Sequence, residues 1–502
     1  MRKTILTASL LFSLVFTLPA QSKTEKPEKS DYKTGGLSVT SHQLKLASGE
    51  QLNYTATTGY MDIRDEKDTL KANLFFIAYT KDGEPDPAKR PILFSFNGGP
   101  GSSSVWLHMG ALGPKIVKMT DEGYPLPPPY KYEDNPLTWL DKADIVFIDP
   151  MMTGYTRPAG RTSQSDFTGY DNDLRFVGDF IRLYTTRYKR WSSPKFIAGE
   201  SYGTTRAAGL SNYLQDRHGL YVNGIVLISA ILDFGTVRTD RGNDLPYALQ
   251  LPTFAATSWY HKKLGNRYPS LSSLLQQVQQ FAMGPYQSAL MKGDQLQGAE
   301  RQAIIQQLQD FTGLSKEYLD ETNIRLSVGR FNKELLRSDK KTVGRLDSRI
   351  VGQDYDHAGE SYDYDPSYDL AIYGPYTAAL NDYVRRELKY ENDLPYEILT
   401  GRARPWVNSQ DRYLNVAESL RTAMVKNPAL KVWISNGYYD MATPYFATDY
   451  VIHHMFLPEN LRGNISFTYY EAGHMMYIHK PSLQQLKKDY SKFMDQVKAS
   501  IQ

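Results

Sequence analysis

The chain has 502 residues, of which 41% are hydrophobic and 13% aromatic, so it can bury a large core and is expected to form two or three structural units. Its formal net charge of +3 is small for this length and argues against an electrostatic nucleic-acid-binding protein. The sequence contains no cysteine, which excludes disulfides, thiolate metal sites and a thiol nucleophile.

The N-terminus has the pattern of a secretory signal peptide at residues 1–22. Two basic residues precede a short apolar stretch that four Ser and Thr residues interrupt, so cleavage after Ala20 or Ser22 is favoured over a membrane anchor. Residues 23–36 are charged and nearly free of large apolar side chains, which predicts a flexible linker. We therefore predict an exported protein, periplasmic or secreted, without stable membrane insertion.

The first half of the chain alternates between strand and helix patterns. Residues 37–96 carry short β-rich runs with turn signals, which predict a series of hairpin strands. Residues 97–104 have almost no side-chain bulk. A compact apolar run at 144–149 predicts a strand, and apolar residues at helical spacing across 171–188 predict a helix. This alternation favours an α/β protein with a mostly parallel central sheet covered by helices.

A strand, a tight turn and a helix are predicted around Ser201. The apolar run at 196–198 leads into residues 199–203, which have the pattern G-x-S-x-G, and a helix-compatible segment follows. In this pattern the serine sits on a strained strand-to-helix turn, and the glycines let nearby backbone pass. The free N–H groups at the start of the helix would face an oxyanion formed there. A plain glycine-bounded turn is the alternative interpretation.

The alternation stops between residues 235 and 401, where helical segments are joined by long polar loops. We interpret residues 235–401 as an inserted, mainly helical cap. Their acidic segment at 353–369 lacks the carboxylate spacing of a calcium-binding loop and is interpreted as a solvated loop. Strand and helix patterns then resume. One sheet, begun in residues 37–234 and completed in residues 402–502, explains this order.

Three residues that lie far apart in the chain fit a nucleophile, a base and an acid. A serine hydroxyl needs a base to remove its proton, and in α/β-hydrolases the order along the chain is Ser, Asp or Glu, His. His474 directly follows a strand pattern at 464–470, and Asp440 follows the strand pattern before it. We therefore predict an α/β-hydrolase fold with Ser201 as nucleophile, His474 as general base and Asp440 as orienting acid.

Attack on a carbonyl group creates negative charge on oxygen, which preorganised N–H donors stabilise. One predicted donor is the backbone N–H of Tyr202, which follows the nucleophile. The second is Gly99, because its glycine-rich loop follows an earlier strand, as this fold requires. A phosphate-binding role for that loop is disfavoured, since no Lys-Ser or Lys-Thr pair follows it.

The separated motifs together resemble those of the serine carboxypeptidases. The matching blocks are 96–104, 199–203, Asp440 and 472–475, in the family's order. The resemblance implies that the protein releases single residues from peptides with a free C-terminus through an acyl-enzyme, with no metal or other cofactor. It also implies the roles given above to the nucleophile, base, acid and oxyanion donors.

The resemblance further implies a site for the substrate's terminal carboxylate, formed by Asn97, the N–H of Gly98, and Glu200. A glutamate can hydrogen-bond a carboxylate only when one of the two is protonated. The resemblance therefore also implies a preference for acidic conditions. The alternative for Glu200 is a plain spacer in the turn.

The chain departs from the family's pattern near this carboxylate site. Ser95 and Ser102 replace the usual tryptophan and cysteine, and a second acidic residue that commonly helps to bind the carboxylate would fall at Ala111. Arg206 lies in another changed stretch, where a helix-surface position is favoured over a replacement cation. Two other functions stay open: an esterase or acyltransferase on the same scaffold, and a non-catalytic periplasmic binding protein.

Overall fold

A computed structural model of the chain describes residues 36–407 and 412–501. The predicted signal peptide (1–22), and all of the predicted linker except Gly36, lie outside the described residues. No helix in the described ranges is both long enough and apolar enough to cross a membrane.

The strands are short in most cases, and those at 144–148, 195–200 and 465–470 coincide with strand patterns in the sequence. They are β1 (Ser38–Lys45), β2 (Gln51–Arg64), β3 (Leu70–Lys81), β4 (Ile92–Phe96), β5 (Lys115–Val117), β6 (Tyr132–Asp134), β7 (Asp144–Ile148), β8 (Arg157–Pro158), β9 (Lys195–Glu200), β10 (Gly224–Ile228), β11 (Thr342–Val343), β12 (Val351–Gly352), β13 (Lys431–Gly437) and β14 (Ile465–Tyr470).

The helices include four long ones beside the sheet and a series in the middle of the chain. They are α1 (Val105–Leu107), α2 (Tyr170–Arg187), α3 (Tyr202–His218), α4 (Leu245–Tyr260), α5 (Leu271–Phe281), α6 (Gln287–Lys292), α7 (Gly298–Thr312), α8 (Lys316–Glu321), α9 (Val328–Glu334), α10 (Tyr373–Arg386), α11 (Ala417–Lys426), α12 (Tyr445–His453), α13 (Glu459–Arg462) and α14 (Lys480–Ile501).

One large sheet organises the described chain, with the strand order β1-β2-β3-β7-β4-β9-β10-β13-β14 and with β8 paired to β3. The six strands from β7 to β14 in this order are parallel to their neighbours, whereas β1, β2 and β3 form an antiparallel edge. The sheet begins before the predicted cap and is completed after it. The predicted, mostly parallel sheet is therefore confirmed.

The prediction of successive hairpins across residues 37–96 is right for β1 to β3 and wrong for β4. Strand β4 does not pair with β3, because β7 lies between them and β4 pairs in parallel with β7 and β9. All five residues of β4 are buried. A continuously buried run is typical of an interior parallel strand that is covered on both faces, so burial explains the difference.

Helices cover both faces of the sheet. Alternate residues of a strand point to opposite faces, and accordingly Phe94 and Ile197 belong to one apolar cluster while Leu93 and Phe196 belong to another. The first face is covered by α2, α3 and α11, and the second by α14 and α10. This double cover makes the sheet a rigid support for the loops at its edge.

The region interpreted as the cap is mainly helical, as predicted, and its helices α4 to α9 share an apolar cluster that also includes Tyr445 and Phe446 of α12. Helix α10 differs, because Tyr376, Leu380 and Tyr383 pack into the cluster on the second face of the sheet. Within the acidic loop, Asp354 is buried rather than solvated. Its carboxylate accepts hydrogen bonds from Lys333 Nζ at 2.5 Å and Thr342 Oγ1 at 2.8 Å.

Candidate active site

The predicted site residues all lie at the carboxyl ends of parallel strands, on one edge of the sheet. The glycine-rich loop follows β4, Ser201 follows β9, Asp440 lies beyond β13, and His474 lies beyond β14. Open α/β sheets bind ligands outside the carboxyl ends of their strands. The topology therefore brings four distant stretches of sequence to one place.

Ser201 sits on a strained turn between β9 and α3. Its φ of 60° and ψ of −130° are rare for a residue with a side chain. Its N–H donates to Ile228 O at 3.0 Å, which ties the turn to strand β10. A Cβ at Gly199 would lie 2.1 Å from the carbonyl oxygen of Gly203, so the first glycine of the motif is needed for this close approach. The predicted strand-turn-helix geometry is present.

Asp440 and His474 form a buried hydrogen-bonded pair. His474 Nδ1 lies 2.7 Å from Asp440 Oδ2. The carboxylate also accepts hydrogen bonds from Ala442 N at 2.8 Å, Thr443 N at 3.0 Å and Thr443 Oγ1 at 2.6 Å. These donors keep Asp440 in place. Because Asp440 accepts a hydrogen bond from His474 Nδ1, the imidazole proton lies on Nδ1, and Nε2 can accept the proton of the nucleophile.

The environment of His474 acts on its pKa in two directions. Burial lowers the pKa, whereas the charge and hydrogen bond of Asp440, with a contribution from Glu200, raise it, and the net pKa lies above the usual 6.5. A base with a raised pKa holds a removed proton more firmly. This is the direction that proton transfer from a serine hydroxyl requires.

Ser201, His474 and Glu200 line one cavity of about 430 Å³, together with Gly98 and Gly99. Ser201 is half-buried and lines this cavity, and among the described residues its hydroxyl makes no hydrogen bond to His474. Hydrogen bonds in unliganded active sites are often long and tighten when substrate binds. Direct transfer from Ser201 Oγ to His474 Nε2 stays a prediction.

The predicted oxyanion donors lie where the glycine-rich loop meets the start of α3. A Cβ at Gly98 would lie 2.4 Å from Tyr202 N, so only glycine allows the two backbones this close. Gly99 has a φ of +102°, a conformation that favours glycine. The N–H of Tyr202 is the first of its helix and has no partner within it. Their joint role as oxyanion donors stays a prediction.

Glu200 is buried, and each of its carboxyl oxygens accepts a hydrogen bond from another side chain. Asn97 Nδ2 donates to Oε1 at 2.9 Å, and the hydroxyl of Tyr477 donates to Oε2 at 2.5 Å. Burial raises the pKa of Glu200 to about 7. Asn97 is itself fully buried, and its Oδ1 accepts from Leu107 N at 3.1 Å. Its predicted contact with a substrate carboxylate stays a prediction.

A profile of the serine carboxypeptidase family matches residues 47–476, which is most of the chain. The chain belongs to this family. Among its relatives, carboxypeptidase Y of Saccharomyces cerevisiae is 30% identical over 154 residues and carboxypeptidase Y of Candida albicans is 28% identical over 195 residues. These alignments cover 30% and 38% of this chain, but only 25% and 32% of the two relatives.

The crystal structure of Kex1(delta)p, a prohormone-processing carboxypeptidase from Saccharomyces cerevisiae, has the same fold. It aligns with a TM-score of 0.55 and 15% identity over 88% of this chain and 91% of its own. The likeness confirms the predicted α/β-hydrolase fold. In the described part of this serine carboxypeptidase family member, no group of three or more His, Asp or Glu side chains is placed to hold a metal ion.

A short segment between β11 and β12 holds the Asp and His loops of this family member in place. The N–H of His474 donates to Leu346 O at 2.6 Å, and the N–H of Gly473 donates to Asp347 Oδ2 at 3.2 Å. Ser348 N donates to Tyr439 O at 3.0 Å, and Met441 N donates to Arg345 O at 3.1 Å. We call residues 345–349 the clamp segment.

Arg206 is not on the helix surface, so that interpretation is wrong. The side chain is 1% exposed, and its Nε lies 2.7 Å from Asp173 Oδ2. Its Nη1 donates a hydrogen bond to Asn97 O at 2.7 Å, which connects the glycine-rich loop to α3. No local pattern signals this burial, because Asp173 and the carbonyl oxygen of Asn97 are brought to the guanidinium only by the fold.

Sequence reasoning also missed Tyr477 and the clamp segment. Tyr477 lies only three residues after His474, but its contact with Glu200 spans 277 positions of the chain. Asp347 lies in the region interpreted as the cap, and no local pattern links it to the histidine loop. A pairing over such distances becomes visible only when the sheet has placed the loops.

Proposed function

We propose that this chain is an exported serine carboxypeptidase that releases C-terminal residues from peptides through an acyl-enzyme. The observation that carries the proposal is the cavity shared by Ser201, His474 and the buried Glu200. The first two supply nucleophilic chemistry, with His474 oriented by Asp440. The third supplies a carboxyl group that is neutral below about pH 7 and can meet a substrate carboxylate.

The proposed reaction begins when Ser201 Oγ attacks the carbonyl carbon of the last peptide bond while His474 Nε2 takes the hydroxyl proton. Asp440 stabilises the resulting imidazolium. The backbone N–H groups of Gly99 and Tyr202 donate to the oxyanion. The C–N bond then breaks, His474 returns the proton to the leaving amino group, and water hydrolyses the acyl-serine by the same base.

The proposed exopeptidase specificity depends on the substrate's terminal carboxylate. Protonated Glu200 donates a hydrogen bond to it, and the N–H of Gly98 supplies a second donor in the same cavity. Asn97 holds Glu200 through Oε1 and has a second amide N–H to offer. A blocked C-terminus removes the group that these donors recognise.

The domain division belongs to the same proposal. The core consists of residues 37–234 and 402–502, and residues 235–401 form the cap over the cavity. The apolar cluster that α4 to α9 share supports an inserted unit, and Tyr445 and Phe446 of α12 in the core also pack into it. The packing of α10 on the sheet cluster indicates that the last part of the insertion is fixed to the core.

The nucleophile is tested with Ser201→Ala and a fluorophosphonate probe. We expect the wild-type chain to be labelled at Ser201 and to cleave N-blocked dipeptides, and we expect the variant to lose both properties while it keeps its thermal unfolding temperature. Labelling that persists in the folded variant, or turnover that does, would place the nucleophile elsewhere. An unlabelled and inactive wild type would favour the non-catalytic binding protein.

An esterase or acyltransferase is the second candidate, because the second carboxyl group of the family's pattern is absent at Ala111. Such an enzyme would use the same Ser201 and His474. Simple esters and N-blocked dipeptides, compared at equal enzyme concentration, distinguish the two. Activity on esters alone would support the second candidate.

A further inference from the structure

Glu200 has a partner that the family's pattern does not provide. The resemblance places a second acidic residue at position 111, where this chain has a buried alanine. The structure instead places the Tyr477 hydroxyl 2.5 Å from Glu200 Oε2. Both side chains are almost completely buried, at 1% and 2% exposure. The hydrogen bond is therefore shielded from competing water.

The neighbourhood of position 111 is shaped to admit this tyrosine. A Cβ at Gly110 would lie 2.4 Å from Tyr477 Cε2 and 2.7 Å from the hydroxyl oxygen of Tyr376. Any side chain at 110 would therefore overlap the ring of Tyr477. The absence of a side chain at Gly110 therefore makes room for the large ring of Tyr477.

We propose that Tyr477 is a positioning residue that replaces the second carboxyl group and holds Glu200 toward the terminal carboxylate of the substrate. A phenol hydroxyl can donate and accept, so it remains bonded to Glu200 in both protonation states. A second carboxyl group would titrate in the same range and couple to the first. Tyr477 does not, because burial raises the pKa of its hydroxyl well above 10. A single carboxyl group therefore controls carboxylate binding.

The inference rests on the proposed carboxypeptidase function and is tested with Tyr477→Phe. Near pH 6, we expect KM for a peptide with a free C-terminus to rise up to about tenfold, because Glu200 loses the hydrogen bond that holds it toward the substrate. We expect kcat on an N-blocked amino-acid ester, which lacks a terminal carboxylate, to be unchanged. The alkaline limb of kcat/KM should move to higher pH, because Tyr477 lowers the pKa of Glu200.

Tyr376→Phe is the matched control. Tyr376 is as deeply buried and lies beside the same Gly110, but its hydroxyl makes no hydrogen bond to Glu200. We expect wild-type KM and an unshifted pH profile from this control. Equal effects of the two substitutions would overturn the inference, and so would a Tyr477→Phe enzyme with unchanged KM and pH profile, or one that loses ester and peptide activity alike.

A measurement on the wild-type chain keeps the inference testable if Tyr477→Phe fails to fold. The infrared band of the protonated Glu200 carboxyl, assigned by its loss in Glu200→Gln, should titrate without a second carboxyl band that is coupled to it. Two coupled carboxyl steps would contradict it. If the wild type does not distinguish a free from an amidated C-terminus, the proposed function itself fails; if it does and Tyr477→Phe matches it, only this inference fails.

Discussion

At the scale of single residues, the proposed function depends on the protonation states of Glu200 and His474. Glu200 must be neutral to meet a carboxylate, and burial raises its pKa to about 7. His474 must be neutral to act as a base, and its pKa lies above 6.5 because the effect of Asp440 and Glu200 outweighs burial. The two groups interact, so the measured pKa values belong to the pair. A wild-type pH profile alone does not assign them.

The substitution Glu200→Gln distinguishes the titration of Glu200 from that of His474. A raised carboxyl pKa means that peptide binding is present at low pH and is lost as pH rises through about 7. Glutamine stays neutral and keeps a donor, so we expect its kcat/KM for peptides to lose the alkaline limb and keep the acidic limb of His474. The check is kcat/KM for one free-acid peptide across the pH range. An unchanged alkaline limb would remove Glu200 from carboxylate recognition.

The sequence predicted the residues that belong to local motifs. Ser201 was recognisable because its neighbours in the turn are glycines, and His474 because it follows a strand at the required point in the order. Tyr477 and Arg206 were not recognisable, because their partners Glu200 and Asp173 are assigned only by packing. Local patterns encode backbone geometry, whereas side-chain partnerships depend on the fold.

At the scale of elements, the clamp segment connects the cap region to the chemistry. Its Asp347 accepts from the N–H of Gly473 and is held by Arg349, whose Nη2 lies 2.6 Å from Asp347 Oδ2. Both charged side chains are buried, with side-chain exposures of 3% and 4%. The position of the catalytic loop therefore depends on an ion pair outside it.

Asp347→Ala leaves Arg349 buried without this partner, so we expect the free energy of unfolding to fall by about 3–5 kcal/mol. The double variant Asp347→Leu, Arg349→Met should recover much of that stability, because apolar side chains can replace a buried ion pair. It should not recover kcat, because Gly473 still lacks its acceptor. Denaturant unfolding and kcat on a dipeptide give the two readouts. Full recovery of kcat would show that the ion pair contributes only to stability and does not position the His474 loop.

Element positions were predicted well, whereas strand order was not. Strands β7 and β9 are compact apolar runs, and the sequence marks both of them. The place of β4 beside β7 depends on pairing between residues more than 50 positions apart. Strands that are adjacent in sequence are expected to pair as hairpins. Only the complete burial of β4 indicates that it is an interior parallel strand instead.

At the scale of the whole molecule, the nucleophile lies between two cavities. The first, with Glu200, is the proposed site of the C-terminal residue. The second, of about 450 Å³, also reaches Ser201 and is lined by Arg238 and Arg345, with no carboxylate among the described residues that form it. We propose that this second cavity receives the preceding residue of the substrate, because Ser201 and Gly99 line it too.

We expect acidic side chains at that preceding position to be favoured over basic ones. Arg345 also lines the first cavity, where its Nε lies 3.9 Å from Asp365 Oδ2. Because this pairing and the 44% exposure of Arg345 both weaken its contact with a substrate carboxylate, Arg345→Ala should reduce the Glu-over-Lys preference by up to about fivefold. The preference should also fall as salt concentration rises. Matched blocked dipeptides measure it, with Arg238→Ala as a second variant. A wild-type preference for Lys would contradict this assignment of the cavity.

The central claim is that Ser201 chemistry is directed by recognition of a free C-terminus. It is tested most directly by kcat/KM for one N-blocked peptide as free acid and as C-terminal amide, near pH 6. The account predicts that the free acid is cleaved about 10- to 100-fold more efficiently, the effect of losing a hydrogen bond to a charged group. Equal efficiencies would contradict it, even if Ser201 proved to be the nucleophile.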